Sequence, residues 1–97
     1  MSESASTSQQ VKIVNLLGLH ARAAGKLMNL ARQFNASVTI EKDTQVACAD
    51  SVMELIMLTA GPGDTVTIKT AGPDANTALM AIVVLIEDGF GEDLHQT

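Results

Sequence analysis

The sequence predicts an α+β fold, an open-faced β-sandwich: a four-stranded antiparallel sheet with three helices on one face, in the order β-α-β-β-α-β-α. Three observations lead there. Several short segments alternate apolar and polar residues with period two, as strands do when one sheet face is covered and the other is wet. The segments between them place apolar residues three and four apart, the stripe of an amphipathic helix. Two of the strands are separated only by Asp43-Thr44, which suits an antiparallel hairpin and leaves no room for a crossover.

Each element can be justified in turn. Residues 1–9 are polar, Ser-rich and without periodicity, and read as a disordered tail. Gln10 to Leu16 alternates Val11, Ile13 and Asn15 against Lys12, Val14 and Leu16, a first strand. Ala21 to Phe34 carries Ala23, Leu27, Leu30, Ala31 and Phe34 on one helical stripe. Ala36–Lys42 and Gln45–Ala49 form the hairpin, with Val46 and Cys48 expected to face the core. Ser51 and Glu54 have the spacing of a capping box, opening a short helix to about Leu58. Gly61-Pro62-Gly63-Asp64 breaks the chain before the strand "TVTIKT". Asp74 is placed to cap a last helix, whose apolar face is Ala78, Leu79, Ile82, Val83, Leu85 and Ile86, and Gly89 ends it. The reading is one domain over residues 10–91, with a C-terminal tail at 92–97.

Composition removes several classes of function. The net charge of -5 opposes binding to a phosphate backbone, and two Phe with no Tyr or Trp leave no stacking platform for single strands, so no nucleic-acid partner is expected. The single cysteine, Cys48, permits no intrachain disulfide, and its strand position reads as buried packing. The first residues show neither a basic segment nor an apolar one of the signal-peptide type, and the apolar run 78–86 is too short for a bilayer. The expectation is a cytoplasmic monomer without membrane insertion. His95 lies in the C-terminal tail beside Gln96, and no metal or cofactor is expected.

One stretch departs from local rules. "GLHARAAGKL", residues 18–27, opens the first helix without a Ser, Thr, Asp or Asn cap. His20 stands at the entry, with Arg22 in the first turn and Lys26 one turn on. The helix dipole places about half a positive charge at that end, so each cation there costs a few tenths of a kcal/mol. Two of the chain's six Lys and Arg residues are spent this way. Unpaired backbone N–H groups beside a guanidinium suit an anion, phosphate or carboxylate. If the anion is a phosphoryl group, a neutral imidazole can take it covalently, because its free lone pair is a nucleophile near neutral pH.

Gly18-Leu19-His20-Ala21-Arg22 resembles the active-site signature of HPr, the histidine-containing phosphocarrier of the bacterial phosphotransferase system, and of its nitrogen-branch relative. The similarity runs from about Val11 to Glu87 and includes "SVMELIML", the Gly-Pro-Gly-Asp turn and the order of elements. The resemblance implies a phosphoryl relay. His20 would accept the group on Nδ1 from Enzyme I, which draws it from phosphoenolpyruvate, and hand it to IIA components. Arg22 and the backbone amides of Ala21 and Arg22 would hold the phosphoryl oxygens. Two positions depart from the pattern: Ala23 stands where many members have Pro, and Leu17 where many have Asn or a similar polar residue.

The second helix is apolar almost all round. Leu55 and Leu58 can face the core, which leaves Val52, Met53 and Ile56 partly outward. With Leu19, Ala21 and Lys26 they make the expected partner surface, and the resemblance likewise puts the docking of donor and acceptor proteins on this helix. Ser51 is first a helix cap. In some relatives the matching Ser is a regulatory phosphorylation site, so the alternative function is a regulatory binding module whose phosphorylation state controls a target enzyme or transcription factor.

Overall fold

The structure is a computed structural model and describes residues 6–92. Its strands are β1 (Ser6–Lys12), β2 (Ser37–Lys42), β3 (Gln45–Cys48) and β4 (Thr65–Ala71). Its helices are α1 (Ala21–Ala31), α2 (Val52–Met57) and α3 (Ala75–Glu87), with a 3-10 turn at Gly89–Gly91. The sheet runs β1-β4-β2-β3 with every neighbouring pair antiparallel, so β4 is inserted between the first strand and the β2–β3 hairpin.

Strand alternation divides the sheet into two chemically different faces. Val11, Val38, Ile40, Ala47, Val66 and Ile68 are buried together, with Val11 opposite Val66 and Ile40 opposite Ile68. The other face is polar, and Lys69 Nζ there reaches Glu41 Oε2 at 3.0 Å. On the apolar face α3 lies against β1 and β4, while α1 packs on α2 and α3. Leu27, Leu55, Leu58, Ile82 and Ile86 close the core from the helix side. With almost no aromatics, the core is filled by branched aliphatics and Ala, whose burial is the main stabilising term. No helix among the described residues is long and apolar enough to cross a membrane.

Several expectations are corrected by tertiary context. The first strand begins at Ser6, inside the segment expected to be a tail, and Ser6 to Gln9 pair with Ala71 to Ile68. Polar residues suit this edge strand, which draws its order from backbone pairing and so carries no hydrophobic signal. Residues 1–5 and 93–97, the latter including His95, lie outside the described residues. After Lys12 the chain leaves the ladder, yet Ile13 and Asn15 stay inward and Val14 and Leu16 outward, as the alternation implied.

The faces of β3 are the reverse of those expected. Ala47 is buried, while Val46 and Cys48 are exposed. The two-residue turn pairs Lys42 with Gln45, which sets Ala47 opposite the buried Ile40. Register fixes the parity, and the greater hydrophobicity of Val46 and Cys48 does not override it.

Helix starts differ as well. Ser51 Oγ accepts from Glu54 N at 3.2 Å, but Glu54 Oε1 accepts from Cys48 N at 2.8 Å, so only one arm of the capping box closes and the other ties α2 to β3. Asp74 sits at the start of α3 without a side-chain cap; its Oδ2 accepts from Asn35 N at 2.8 Å and fastens the α1–β2 loop instead. Gly89 ends α3 with φ +66°, the left-handed conformation that glycine adopts without strain.

Beyond Gly89 the chain turns back into the protein. Phe90 is fully buried in the core cluster although its φ is +58°. A non-glycine residue in this region costs of order 1 kcal/mol or more, and burial of the ring offsets it. Replacing Phe90 with Ala is expected to destabilise the fold by about 3 kcal/mol, the ordinary loss for a buried Phe, read as a lower urea midpoint at unchanged slope.

Candidate phosphoryl-acceptor site

The helix entry is built by a glycine clamp. Gly18 has φ +65°, and a Cβ there would lie 2.3 Å from the Ala60 carbonyl oxygen and 2.8 Å from Gly61 Cα. Only glycine fits so close to another backbone. Leu19 N donates to the same Ala60 oxygen at 2.9 Å, and His20 N donates to Gly18 O at 3.0 Å. Leu19 is 4% exposed and belongs to the core, so it anchors this loop and is not part of an outward docking surface as expected.

His20 is the N-cap of α1. Its backbone is extended (φ -84°, ψ -178°), and its carbonyl accepts from Ala24 N at 2.8 Å. Its Nδ1 accepts from Arg22 N at 3.2 Å. The ring therefore does what a Ser or Asp oxygen usually does, satisfying one of the orphan donors of the first turn. The missing cap is the imidazole itself. The ring is 26% exposed, neither sealed in the core nor turned from the amides. Ala21 and Arg22 are exposed beside it, while Ala23 is buried and keeps the N–H that Pro would lack.

The opposite edge of the ring is occupied by a residue that sequence reasoning assigned to the C-terminal tail. His20 Nε2 contacts Glu92 Oε2. Asn15 Nδ2 donates to Glu92 Oε1 at 2.9 Å and to Gly18 O at 2.8 Å. Asn15 is fully buried and links the clamp to the carboxylate. Lys26 Nζ donates to Phe90 O at 2.6 Å, so this cation, expected on the partner surface, holds the C-terminal segment against α1. A visible hint existed in the chain: an aromatic set between glycines, Gly89-Phe90-Gly91, in a protein with only one other aromatic, marks a packed segment.

The carboxyl of Glu92 is held below its ordinary value. Burial opposes the charged form, but the Asn15 amide, the hydrogen bond and charge of His20, and the charge of Lys26 together outweigh it.

The remaining expected residues are distributed along α2. Met53 is 69% exposed, and Val52 and Ile56 are half-buried, an outward apolar strip as predicted, to which Met57 adds; Leu17, in the loop before α1, is exposed as well. Ser51 is engaged as a cap, and the neighbouring Asp50 pairs with Arg32 Nε at 2.6 Å, past the C-terminal end of α1.

An open-faced sandwich that sets an accessible imidazole on the first amides of a helix, with an exposed arginine in that first turn, defines a class of small α+β domain whose helix entry suits an anion. The comparisons with known proteins agree. The family described as "PTS HPr component phosphorylation site" matches residues 7–88. The phosphocarrier protein NPr of Shewanella violacea is 49% identical over 84 residues, covering 87% of this chain and 92% of the relative. The phosphocarrier protein HPr of Cupriavidus necator is 46% identical over 80 residues, covering 82% and 90%. The crystal structure of HPr-C-His from Thermoanaerobacter tengcongensis superposes with TM-score 0.86 at 35% identity, covering 91% of this chain and 99% of that one. The chain belongs to the HPr family of the phosphotransferase system and is a phosphocarrier of that system.

Two outcomes test this geometry. Gly18→Ala forces a Cβ into the Ala60 carbonyl at an unfavourable φ; it is expected to cost at least about 2 kcal/mol in urea unfolding and to shift the amide resonances of Leu19 and His20. The second concerns pH. Because the folded-state value of Glu92 is depressed, its contribution to stability is complete above its ordinary value of 4.5 and is lost as pH falls through the lower folded value. The His20 ring, Lys26 and the Asn15 amide are the groups facing it. Hydrogen exchange of Gly91 and Glu92 is therefore expected to speed up, relative to the core, only as pH drops below that range.

Proposed function

We propose that His20 accepts a phosphoryl group on Nδ1 from Enzyme I and passes it to a IIA component, in the cytoplasm. The observation that carries this reading is the bond from the Arg22 amide to Nδ1. It aims the ring lone pair at the amides of the helix start, where an arriving anion has its best electrostatic environment. Nδ1 attacks phosphorus in line as the bond to the donor breaks. The Arg22 amide passes from Nδ1 to a phosphoryl oxygen, and the guanidinium of Arg22 with the Ala21 amide takes the others. Positioning and charge supply most of the rate, since phosphoryl transfer asks little covalent help of the protein. Ala21, Val52, Met53 and Ile56, joined by Leu17 and Met57, form the surface that meets the partner proteins, Met adapting to more than one of them.

Purified protein incubated with phosphoenolpyruvate and Enzyme I is expected to gain the mass of one phosphoryl group that is lost in acid. His20→Ala should abolish the gain. Arg22→Ala should keep it while slowing it by roughly tenfold to a hundredfold, the loss of one charged donor to the transferring group. An acid-stable adduct, or a gain that survives His20→Ala, would overturn the assignment.

A further inference from the structure

We propose that Glu92, held in place by Asn15, is a positioning residue for His20: its carboxylate retains the Nε2 proton and so presents Nδ1 as the bare lone pair. This rests on the reading of His20 as the phosphoryl acceptor and adds the residue that sets the ring's protonation pattern.

The ring has two nitrogens, and each has a different partner. At Nδ1 the Arg22 amide donates, so that nitrogen must carry a lone pair. At Nε2 the partner is a carboxylate oxygen, which can only accept when ionised, so that nitrogen must carry the proton. The two contacts demand the same neutral tautomer. The Arg22 bond, at 3.2 Å, is long for a hydrogen bond, so the carboxylate is the firmer of the two constraints. A group that fixes the second nitrogen of a working imidazole sets both its tautomer and its orientation.

Glu92 is itself held from several sides. Its side chain is only 18% exposed. Asn15 holds Oε1, and Asn15 is fixed in turn by its bond to Gly18 O, within the clamp that positions His20. The backbone leading to Glu92 is bent by three successive residues of positive φ, Gly89, Phe90 and Gly91. It is pinned by the buried Phe90 ring and by the Lys26 bond to Phe90 O. Glu92 N donates to Gly89 O at 3.0 Å, closing the turn. A carboxylate that served only solubility would not need this support.

The chemistry balances without a proton moving. As the Nδ1–P bond forms, the bond between phosphorus and the donor breaks and its electron pair leaves with the donor. The ring goes from neutral to cationic, with Nε2–H still on Glu92, and the carboxylate offsets the charge that develops. In the second transfer the acceptor attacks phosphorus, the N–P electron pair returns to Nδ1, and the ring is neutral again with the same proton on Nε2.

The test uses the full chain with nitrogen-15 in its histidines, and the variants Glu92→Gln and Glu92→Ala. In the unphosphorylated protein near neutral pH, the ring correlations of His20 are expected to show the Nε2–H tautomer. Glu92→Ala should move them towards a mixture and slow phosphoryl acceptance from Enzyme I and phosphoenolpyruvate by about tenfold. Glu92→Gln, which keeps an acceptor oxygen without the charge, should hold the tautomer and recover part of the rate. Backbone amide spectra establish that each variant is folded. A wild-type ring protonated on Nδ1, or a Glu92→Ala variant with unchanged ring signals and rate, would overturn the proposal. The ring signals are read without any phosphoryl transfer, so an absence of adduct in the wild type would sink the acceptor assignment separately.

Discussion

The bond between His20 Nδ1 and the amide of Arg22 organises this molecule. It makes one side chain serve as helix cap and as candidate nucleophile, because the lone pair that accepts the amide is the one that would attack phosphorus. The direction of that lone pair is therefore tied to the axis of α1. The axis is in turn set by the burial of Ala23, Ala24 and Leu27 beneath the helix and by the Gly18 contact with the Ala60 backbone at its entry. A shift of α1 on the sheet would move the ring with it. The core and the chemistry are coupled through one turn of backbone.

The same arrangement answers why an acidic protein puts cations where a helix dipole disfavours them. Part of the compensation is internal. Lys26 is spent on the Phe90 carbonyl, and Glu92 brings a negative charge to the ring. The balance is thus closed by the C-terminal segment, which arrives from 72 positions away in the chain. Arg22 makes no ion pair among the described residues. The site combines a neutralised half, built from Asn15, Lys26 and Glu92, with a positive half at the helix start.

How much of this could be read in advance follows the distance between partners. His20 and Arg22 are two residues apart, and helical geometry alone brings one to the amide of the other. The apolar stripes of α1 and α3 and the alternation from Val11 to Asn15 are equally local, and the structure keeps them. Misreadings arose where a side chain had a choice. Glu54 and Asp74 have the right type and spacing for caps at their own helices, yet each found a donor on another element, Cys48 N and Asn35 N. Val46 and Cys48 looked inward by hydrophobicity, but hairpin register put the smaller Ala47 there. Ser6 to Gln9 gained order from the edge of β4, which no composition argument could reveal.

By itself the sequence determined the order of elements, the aliphatic character of the core and the placing of an imidazole and a guanidinium at one helix entry, because periodicity, turn chemistry and capping act over a few residues. Tertiary structure alone decided the other half of the site. Which groups the inward Asn15 would bond, whether Leu19 would be core or surface, and whether Glu92 would hang free or grip the ring depended on how the Gly18 clamp and the Phe90 anchor packed. Those are contacts between distant segments, stabilised only when the whole core has formed.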